Sequence, residues 1–343
     1  MIKIGLCGAG FMGKMHAACY AAIPDVRIAA IADAQPDSAQ ALAAKCGATL
    51  FPTARELIAR APVDVVDICL PTYMHCDCVL LAAKRGLDCF CEKPIARNPA
   101  QANRMVKAVR AAKIKFMVGH VIRFWPEYQV LKQYADEKPL GPLASLALRR
   151  FAEMPTGWKG WYRKPALSGG AALDLHIHDV DYVLYLLGKP KGLDSVGARH
   201  GGVWDQIATH YHYPGVGVTA EGGWWDPSEP FEMTFRAVFA KGILSYSSKN
   251  QPLIRYEKGK PPALVNVPQP KTGDVQAGGN ISSLGGYFNE VKYFVDCLKA
   301  GRAPETATAE DARDTLVLVF RETASAQKKL KSAPSTAHDW KRE

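Results

Sequence analysis

Over the first 120 residues, short apolar runs alternate with stretches in which apolar positions recur every three or four residues. Strand-like runs fall at 2–7, 26–32, 48–51, 63–70, 87–91 and 115–119. Helix-like stretches fall at 13–22, 36–46, 75–85 and 99–112, and Thr53 with Glu56 forms the capping box of one more. This regular β–α alternation predicts a parallel sheet covered by helices on both faces. The rhythm changes after Gly119. A helix at 126–137 and a strand at 143–151 lead into a loop rich in Trp, Gly and Pro at 155–170. A strongly apolar helix at 171–187 stops at Gly188, a suitable C-terminal cap. Strand-like runs then fill 193–267, with Pro214-Gly215 and Lys241-Gly242 as hairpin turns. A polar, glycine-rich loop is expected at 268–284. Helices follow at 285–299 and at 309–329, the second opened by Thr308 and Asp311, and a frayed tail ends the chain. The sequence has no internal repeat. The expected organisation is an α/β domain at 1–120, then an α+β domain at 121–343 built on a large, mostly antiparallel open sheet.

Composition narrows the function classes. The chain has 343 residues, 48% hydrophobic and 22% charged, which excludes wholesale disorder. No apolar run approaches the roughly 18 residues of a membrane span, so no membrane partner is expected. The opening Met1-Ile2-Lys3-Ile4 reads as a strand rather than a signal peptide. The net charge of +10 raises the question of nucleic acid. Its basic residues are scattered, as at Lys132, Lys138, Arg149, Arg150, Lys258 and Lys260, with a short cluster at Lys328, Lys329 and Lys331. No recognition motif accompanies them, so no nucleic-acid partner is expected. The nine cysteines include no C-x-x-C pair. Cys69, Cys89 and Cys91 lie inside apolar runs, which reads as small reduced core residues of a cytoplasmic protein. His210 and His212 share one strand face but have no third ligand in view, so no metal site is expected.

Gly8-Ala9-Gly10-Phe11-Met12-Gly13 is a G-x-G-x-x-G that follows a strand and opens a helix. The first glycine permits the tight turn, the second lets backbone approach a pyrophosphate, and the third lets helix pack on strand. Free amides at the helix start hold the phosphates. Asp33 ends the second strand, where a carboxylate accepts hydrogen bonds from ribose hydroxyls and repels a 2′-phosphate. Position 34 is alanine rather than a basic residue. The pattern predicts a Rossmann dinucleotide-binding domain that takes NAD in preference to NADP.

Two further places carry chemistry. Glu92-Lys93-Pro94 follows a strand directly, where open parallel sheets bind ligands. Asp174 and His178 lie four apart on the apolar helix, so both side chains share one face. A carboxylate beside an imidazole orients it and favours its protonated form. His176 points elsewhere, and His176-x-His178 is a poor helical metal pair.

With these residues in order, the chain resembles the glucose–fructose oxidoreductase / inositol dehydrogenase / rhizopine catabolism (Gfo/Idh/MocA) family of oxidoreductases over nearly its whole length. The resemblance rests on Gly8 to Gly13, on Pro71-Thr72-Tyr73-Met74-His75 and on Glu92-Lys93-Pro94. It continues in Gly119-His120-Val121-Ile122-Arg123-Phe124, in Gly169-Gly170-Ala171-Ala172-Leu173-Asp174-Leu175-His176-Ile177-His178-Asp179, and in Tyr287-Phe288-Asn289-Glu290-Val291 with Gly301 and Pro304. It implies a catalytic group of Lys93, Asp174 and His178. It also implies cofactor contacts from Gly8, Gly10, Phe11, Met12, Gly13, Asp33, Leu70, Thr72, His75 and Glu92. Arg123 and Tyr287 match positions that often reach substrate, and Trp158, Trp161, Tyr162 and Arg163 in the variable loop are candidates for a sugar platform. His176 departs from the small residues common at its position, which bears on the pocket's shape. The implied activity is hydride transfer between a nicotinamide and a secondary hydroxyl or keto group of a sugar, inositol or related polyol. The implied assembly is a homodimer or homotetramer through the C-terminal sheet. The alternatives are an NAD-dependent glycosidase that oxidises its sugar transiently, and a non-catalytic dinucleotide-sensing regulator.

Overall fold

A computed structural model describes residues 1–200, 202–225, 230–270 and 284–332. The expected loop at 268–284 and the polar tail lie almost wholly outside these. The first elements are β1 (Ile2–Cys7), α1 (Phe11–Ala21), β2 (Val26–Ala32), α2 (Pro36–Cys46), β3 (Thr49–Phe51), α3 (Ala54–Arg60), β4 (Val65–Ile68), α4 (His75–Arg85), β5 (Asp88–Glu92), α5 (Pro99–Ala112) and β6 (Phe116–Gly119). Then come α6 (Pro126–Glu137), β7 (Leu143–Glu153), α7 (Pro165–Ser168), α8 (Ile177–Leu187), β8 (Gly192–His200), β9 (Val203–Tyr213), β10 (Val216–Trp225) and β11 (Glu232–Phe239). The last are β12 (Gly242–Ser247), β13 (Gln251–Glu257), β14 (Ala263–Leu264), α9 (Gly285–Lys299) and α10 (Ala309–Ser332). The chain divides into two compact units, Met1–Trp125 with Gln269–Leu316, and Pro126–Pro268 with Val317–Glu343.

The first unit is a six-stranded parallel sheet in the order β3-β2-β1-β4-β5-β6. That order reverses direction at β1, which is where this architecture binds ligands, beyond the carboxyl ends of the strands. The central strands are buried on both sides: all four residues of β4 and all four of β6 are buried. Helix ends follow the local rules read in the sequence. Thr53 Oγ1 accepts the Glu56 amide at 3.1 Å and caps α3. Thr308 Oγ1 accepts the Asp311 amide at 3.1 Å while Asp311 Oδ2 accepts the Thr308 amide at 3.0 Å, a reciprocal capping box before α10.

Helix α9 groups with this first unit although it lies far along the chain. Its Phe288, Val291, Phe294 and Val295 are buried in one core with Ile4, Leu6, Tyr20 and Phe90. Burying each such side chain contributes about 1.5–3 kcal/mol, enough to fix the helix there. A cut near residue 120 leaves this packing out of view, because α9 reads simply as an amphipathic helix.

The second unit carries, among the described residues, an eight-stranded sheet in the order β14-β13-β12-β11-β7-β10-β9-β8. It is antiparallel except where β10 runs parallel to β7. The expected hairpins are present: Pro214-Gly215 joins β9 to β10, and Lys241 leads into β12 from β11. Along β7 burial alternates, with Leu146, Leu148, Arg150 and Ala152 inward. Among those, Arg150 is tolerated because Asp179 of α8 receives it through both oxygens, at 3.0 and 2.8 Å. Among the described residues no helix is long and apolar enough to cross a membrane.

Candidate active site

The glycine loop joins β1 to α1, and its three glycines do different work. Gly8 has φ +106°, and a Cβ there would lie 2.4 Å from the Cys69 carbonyl oxygen. A Cβ on Gly13 would lie 1.9 Å from the Gly8 carbonyl oxygen. These two glycines therefore close the loop against β4 and against itself. Gly10 has no atom within 4 Å of where its Cβ would be, so its bare backbone faces open space at the start of α1. No side chain caps α1 and no acidic residue sits in its first turn. A bare loop at an uncapped helix N-terminus fits a pyrophosphate. Phe11 beside it is 49% exposed.

Asp33 is tied to the same loop. Its Oδ2 accepts the Ala9 amide at 2.6 Å and its Oδ1 accepts the Gln35 amide at 2.7 Å. Ser38 Oγ donates to the Ala9 carbonyl at 2.9 Å. The carboxylate thus holds the loop's shape and stands at the end of β2, with exposed Ala34 next to it.

At the ends of β4 and β5 the structure gathers Leu70, Thr72, His75, Glu92 and Lys93. His75 is fully buried, and its two ring nitrogens lie 2.7 Å from the Leu70 carbonyl and 2.9 Å from the Pro94 carbonyl. Burial lowers its pKa, against the pull of those two carbonyls. His75 clamps two strand ends together. Glu92 Oε2 accepts the Lys93 amide at 3.0 Å. Lys93 itself is half-buried.

Sequence reasoning missed the group beneath these residues: His16, Tyr20, Asp67 and Cys69. His16 Nδ1 lies 2.8 Å from Asp67 Oδ2, and His16, Asp67 and Cys69 offer ligand atoms within 4.8 Å of one another. The hydroxyl of Tyr20 and the thiol of Cys69 also donate to Asp67, so this buried carboxylate is hydrogen-bonded by its neighbours. One signal was legible: an aspartate in the middle of an apolar strand has to be paired.

In the second unit the segment expected as one α-helix over 171–187 is interrupted. Residues Ala172–His176 form a π-helical turn, and α8 begins at Ile177. Asp174 lies in the wide turn and His178 just after it, both half-buried. Such turns concentrate at functional sites. Two left-handed glycines, Gly169 (φ +76°) and Gly170 (φ +77°), lead into it. A Cβ on Gly170 would come within 2.6 Å of the Trp204 carbonyl oxygen, so the chain has to enter at a glycine. His176 is fully buried and meets Glu322 Oε2 at 3.0 Å; it anchors the turn to the interior of its unit.

The remaining candidates are placed as follows. Trp161 is 8% exposed, its ring 4.0 Å from that of Tyr162, while half-buried Trp158 carries the Lys159 ammonium over its ring at 4.4 Å. The side chain of Arg123 is 4% exposed and its Nη1 donates to Asp311 Oδ2 at 2.9 Å. That guanidinium nitrogen is committed to the α10 capping box. Tyr287 is half-buried, edge-on to Trp125 with ring centroids 6.1 Å apart.

Comparison with known proteins bears on both units. Residues 2–120 match the family model described as "Oxidoreductase family, NAD-binding Rossmann fold", and residues 128–245 match the "GFO/IDH/MocA C-terminal domain". Together the two cover well over half of the chain. The inositol 2-dehydrogenase of Rhizobium meliloti (strain 1021) is 35% identical over 188 residues, 55% of this chain and 56% of that protein. The levoglucosan dehydrogenase of Pseudarthrobacter phenanthrenivorans is 31% identical over 209 residues, 57% of this chain and 53% of that protein. The matched stretch is thus little more than half the length of these curated relatives. A solved levoglucosan dehydrogenase, in complex with NADH and levoglucosan, superposes with a TM-score of 0.82 at 22% identity, covering 96% of this chain and 98% of that one.

Proposed function

The chain belongs to the Gfo/Idh/MocA family of oxidoreductases, with its NAD-binding Rossmann fold, and from that premise we propose that it oxidises a secondary hydroxyl of a sugar, inositol or related polyol, reversibly, with NAD. The observation that carries this reading is the glycine loop. Gly10 leaves bare backbone facing open space at the N-terminus of α1, and Asp33 stands beside it, one oxygen on the loop amide of Ala9 and the other on the amide of Gln35. The relatives named as inositol and levoglucosan dehydrogenases support the substrate class.

Bound NAD supplies the hydride acceptor. The chain's own residues move the proton and steady the charge. His178 takes the hydroxyl proton, since imidazole titrates near neutrality with little adjustment. Lys93 presents its ammonium to the oxygen as it becomes an alkoxide. Asp174, one helical turn from His178 in sequence, orients that imidazole and hydrogen-bonds substrate. Asp33 accepts the ribose hydroxyls and disfavours a 2′-phosphate, so NAD is preferred to NADP. Tyr287 and Trp158 are the substrate-facing candidates whose side chains remain partly open.

The second unit serves as substrate-binding and oligomerisation domain, forming a dimer or tetramer through the open face of its sheet. Support comes from β7, where Ser145, Ala147, Arg149 and Phe151 alternate with the buried row and face outward. Nine free cysteines suit a reduced, cytoplasmic setting. Size-exclusion chromatography with light scattering reads the assembly, and a monomer would sink it.

The test of activity is a panel of inositols, aldoses, uronic acids and 3-keto-glycosides with NAD and with NADP, followed at 340 nm. Reduction of NAD by at least one polyol is expected, and it is abolished in Lys93→Met. No turnover of any member, with the cofactor bound, would refute the dehydrogenase reading.

A further inference from the structure

Strand β4 buries a carboxylate, Asp67, in an otherwise apolar run. Three donors surround it: His16 Nδ1 at 2.8 Å, the Tyr20 hydroxyl at 2.9 Å and the Cys69 thiol at 3.4 Å. The other ring nitrogen of His16 lies 3.1 Å from Glu92 Oε1, as an ion-pair contact rather than a directed hydrogen bond. The second oxygen of the same carboxylate, Oε2, receives the Lys93 amide at 3.0 Å. Gly119 on β6 makes room for this carboxylate, because a Cβ there would lie only 3.0–3.1 Å from its atoms. Asp67, His16, Glu92 and the Lys93 backbone thus form one continuous chain of polar contacts. It joins β4, α1 and β5 beneath the strand ends.

We propose that His16 is a positioning residue for Lys93: by bridging Asp67 and Glu92 it fixes the Glu92 carboxylate, whose other oxygen holds the Lys93 amide. An imidazole with a carboxylate oxygen at each nitrogen is best accommodated with a proton on both, so the geometry selects the imidazolium. Burial alone opposes that charge, but Asp67 and Cys69 outweigh it and raise the His16 pKa well above its ordinary value. A buried cation of this kind persists only where it is paired on both sides. The Lys93 main chain is then held from two directions, since His75 grips the Pro94 carbonyl that follows. The inference rests on the function proposed above, in which Lys93 meets the developing alkoxide. Displacing a reacting group by about 1 Å costs up to roughly a hundredfold in rate.

The test is a double-mutant cycle of His16→Gln and Glu92→Gln in the full chain, with Tyr20→Phe as a variant that weakens the same buried cluster without touching Glu92. Where a sugar of the panel is turned over, each single variant lowers kcat about tenfold or more, with the sugar KM within threefold. The double variant is no worse than the poorer single one. Tyr20→Phe lowers the melting temperature but keeps kcat within twofold. A second readout does not depend on turnover: the rate at which an amine-selective acylating reagent labels Lys93, measured by mass spectrometry against exposed Lys258. Labelling is expected to change at least threefold, in the same direction, in both single variants and no further in the double. If the wild type oxidises nothing in the panel, the dehydrogenase reading fails and labelling alone decides the positioning role. Unchanged labelling in folded His16→Gln and Glu92→Gln, additive effects, or an equal effect from Tyr20→Phe would overturn the proposal.

Discussion

His176 and Glu322 stand 146 positions apart in sequence and meet at 3.0 Å with both side chains fully buried. The second Glu322 oxygen accepts the Tyr211 hydroxyl at 2.6 Å. One carboxylate of α10 thereby pins the π-helical turn that carries Asp174, next to His178, to strand β9. Removing it in Glu322→Ala leaves a buried imidazole and a buried phenol without their acceptor, which costs about 3 kcal/mol. Glu322→Gln keeps one carbonyl oxygen and should cost about 1 kcal/mol. Urea unfolding of the three proteins measures this. A loss under 0.5 kcal/mol in Glu322→Ala would show that the turn holds its shape without the anchor.

The glycine loop allows a sharper separation of fold from binding. Gly13→Ala would force a Cβ to 1.9 Å from the Gly8 carbonyl, a backbone atom that cannot swing aside. A loss of stability of about 2 kcal/mol or more is expected. Gly10→Ala meets nothing within 4 Å and sits at φ −73°, so the fold tolerates it. Its melting temperature should match the wild type within about 1 °C, while NADH affinity, read from cofactor fluorescence, falls at least tenfold. Unchanged affinity in Gly10→Ala would mean that the open side of the loop is not where the dinucleotide lies.

The contrast between these two sites shows what a sequence carries. The loop was legible because its signal is local: three glycines at fixed spacing after an apolar strand and before a helix. So was the β–α alternation, which local periodicity encodes directly. The turn at Ala172–His176 was not, because a 3.6-residue pattern and a brief wider turn look alike in an apolar stretch. The partners of His16 lie 51 and 76 positions away, at Asp67 and Glu92, and only the fold brings them together. His75 shows a third kind of limit. Its burial between the Leu70 and Pro94 carbonyls depends on how two strands end, which no local pattern encodes.

Asp33 does two jobs, and they respond differently to substitution. Its Oδ2 supports the Ala9 amide, and its charge disfavours a 2′-phosphate. Asp33→Ser with Ala34→Arg removes the repulsion and adds a cation. The ratio of kcat/KM for NAD over NADP should fall at least a hundredfold, about 2.7 kcal/mol in transition-state terms. Asp33→Asn alone keeps an oxygen for the Ala9 amide, so stability is held and only the preference shifts. If the ratio stays constant in both variants, Asp33 is a loop support and nothing more.

His16 and His75 are both fully buried in the first unit, and their proton affinities shift in opposite directions. For His16, burial lowers the pKa, but Asp67 and Cys69 from β4 and its end outweigh it; Glu92 from β5 and Tyr20 and Cys19 from α1 complete its surroundings. The folded pKa lies above the unfolded value of about 6.5, so the stabilisation is complete below that pH and is lost as pH rises through the folded value. For His75 burial dominates, with Glu92 and Lys93 as its charged neighbours, and the folded pKa is depressed. Its stabilisation is complete above pH of about 6.5 and is lost as pH falls toward the folded value. Melting temperatures of the wild type, His16→Gln and His75→Gln across pH 5 to 9, each span being about two units from neutrality, test both signs at once. The gap between wild type and His16→Gln should be widest in acid and narrow toward alkaline pH. The gap for His75→Gln should do the reverse. Gaps that move together would mean that one of the two imidazoles carries a charge opposite to the one its surroundings select.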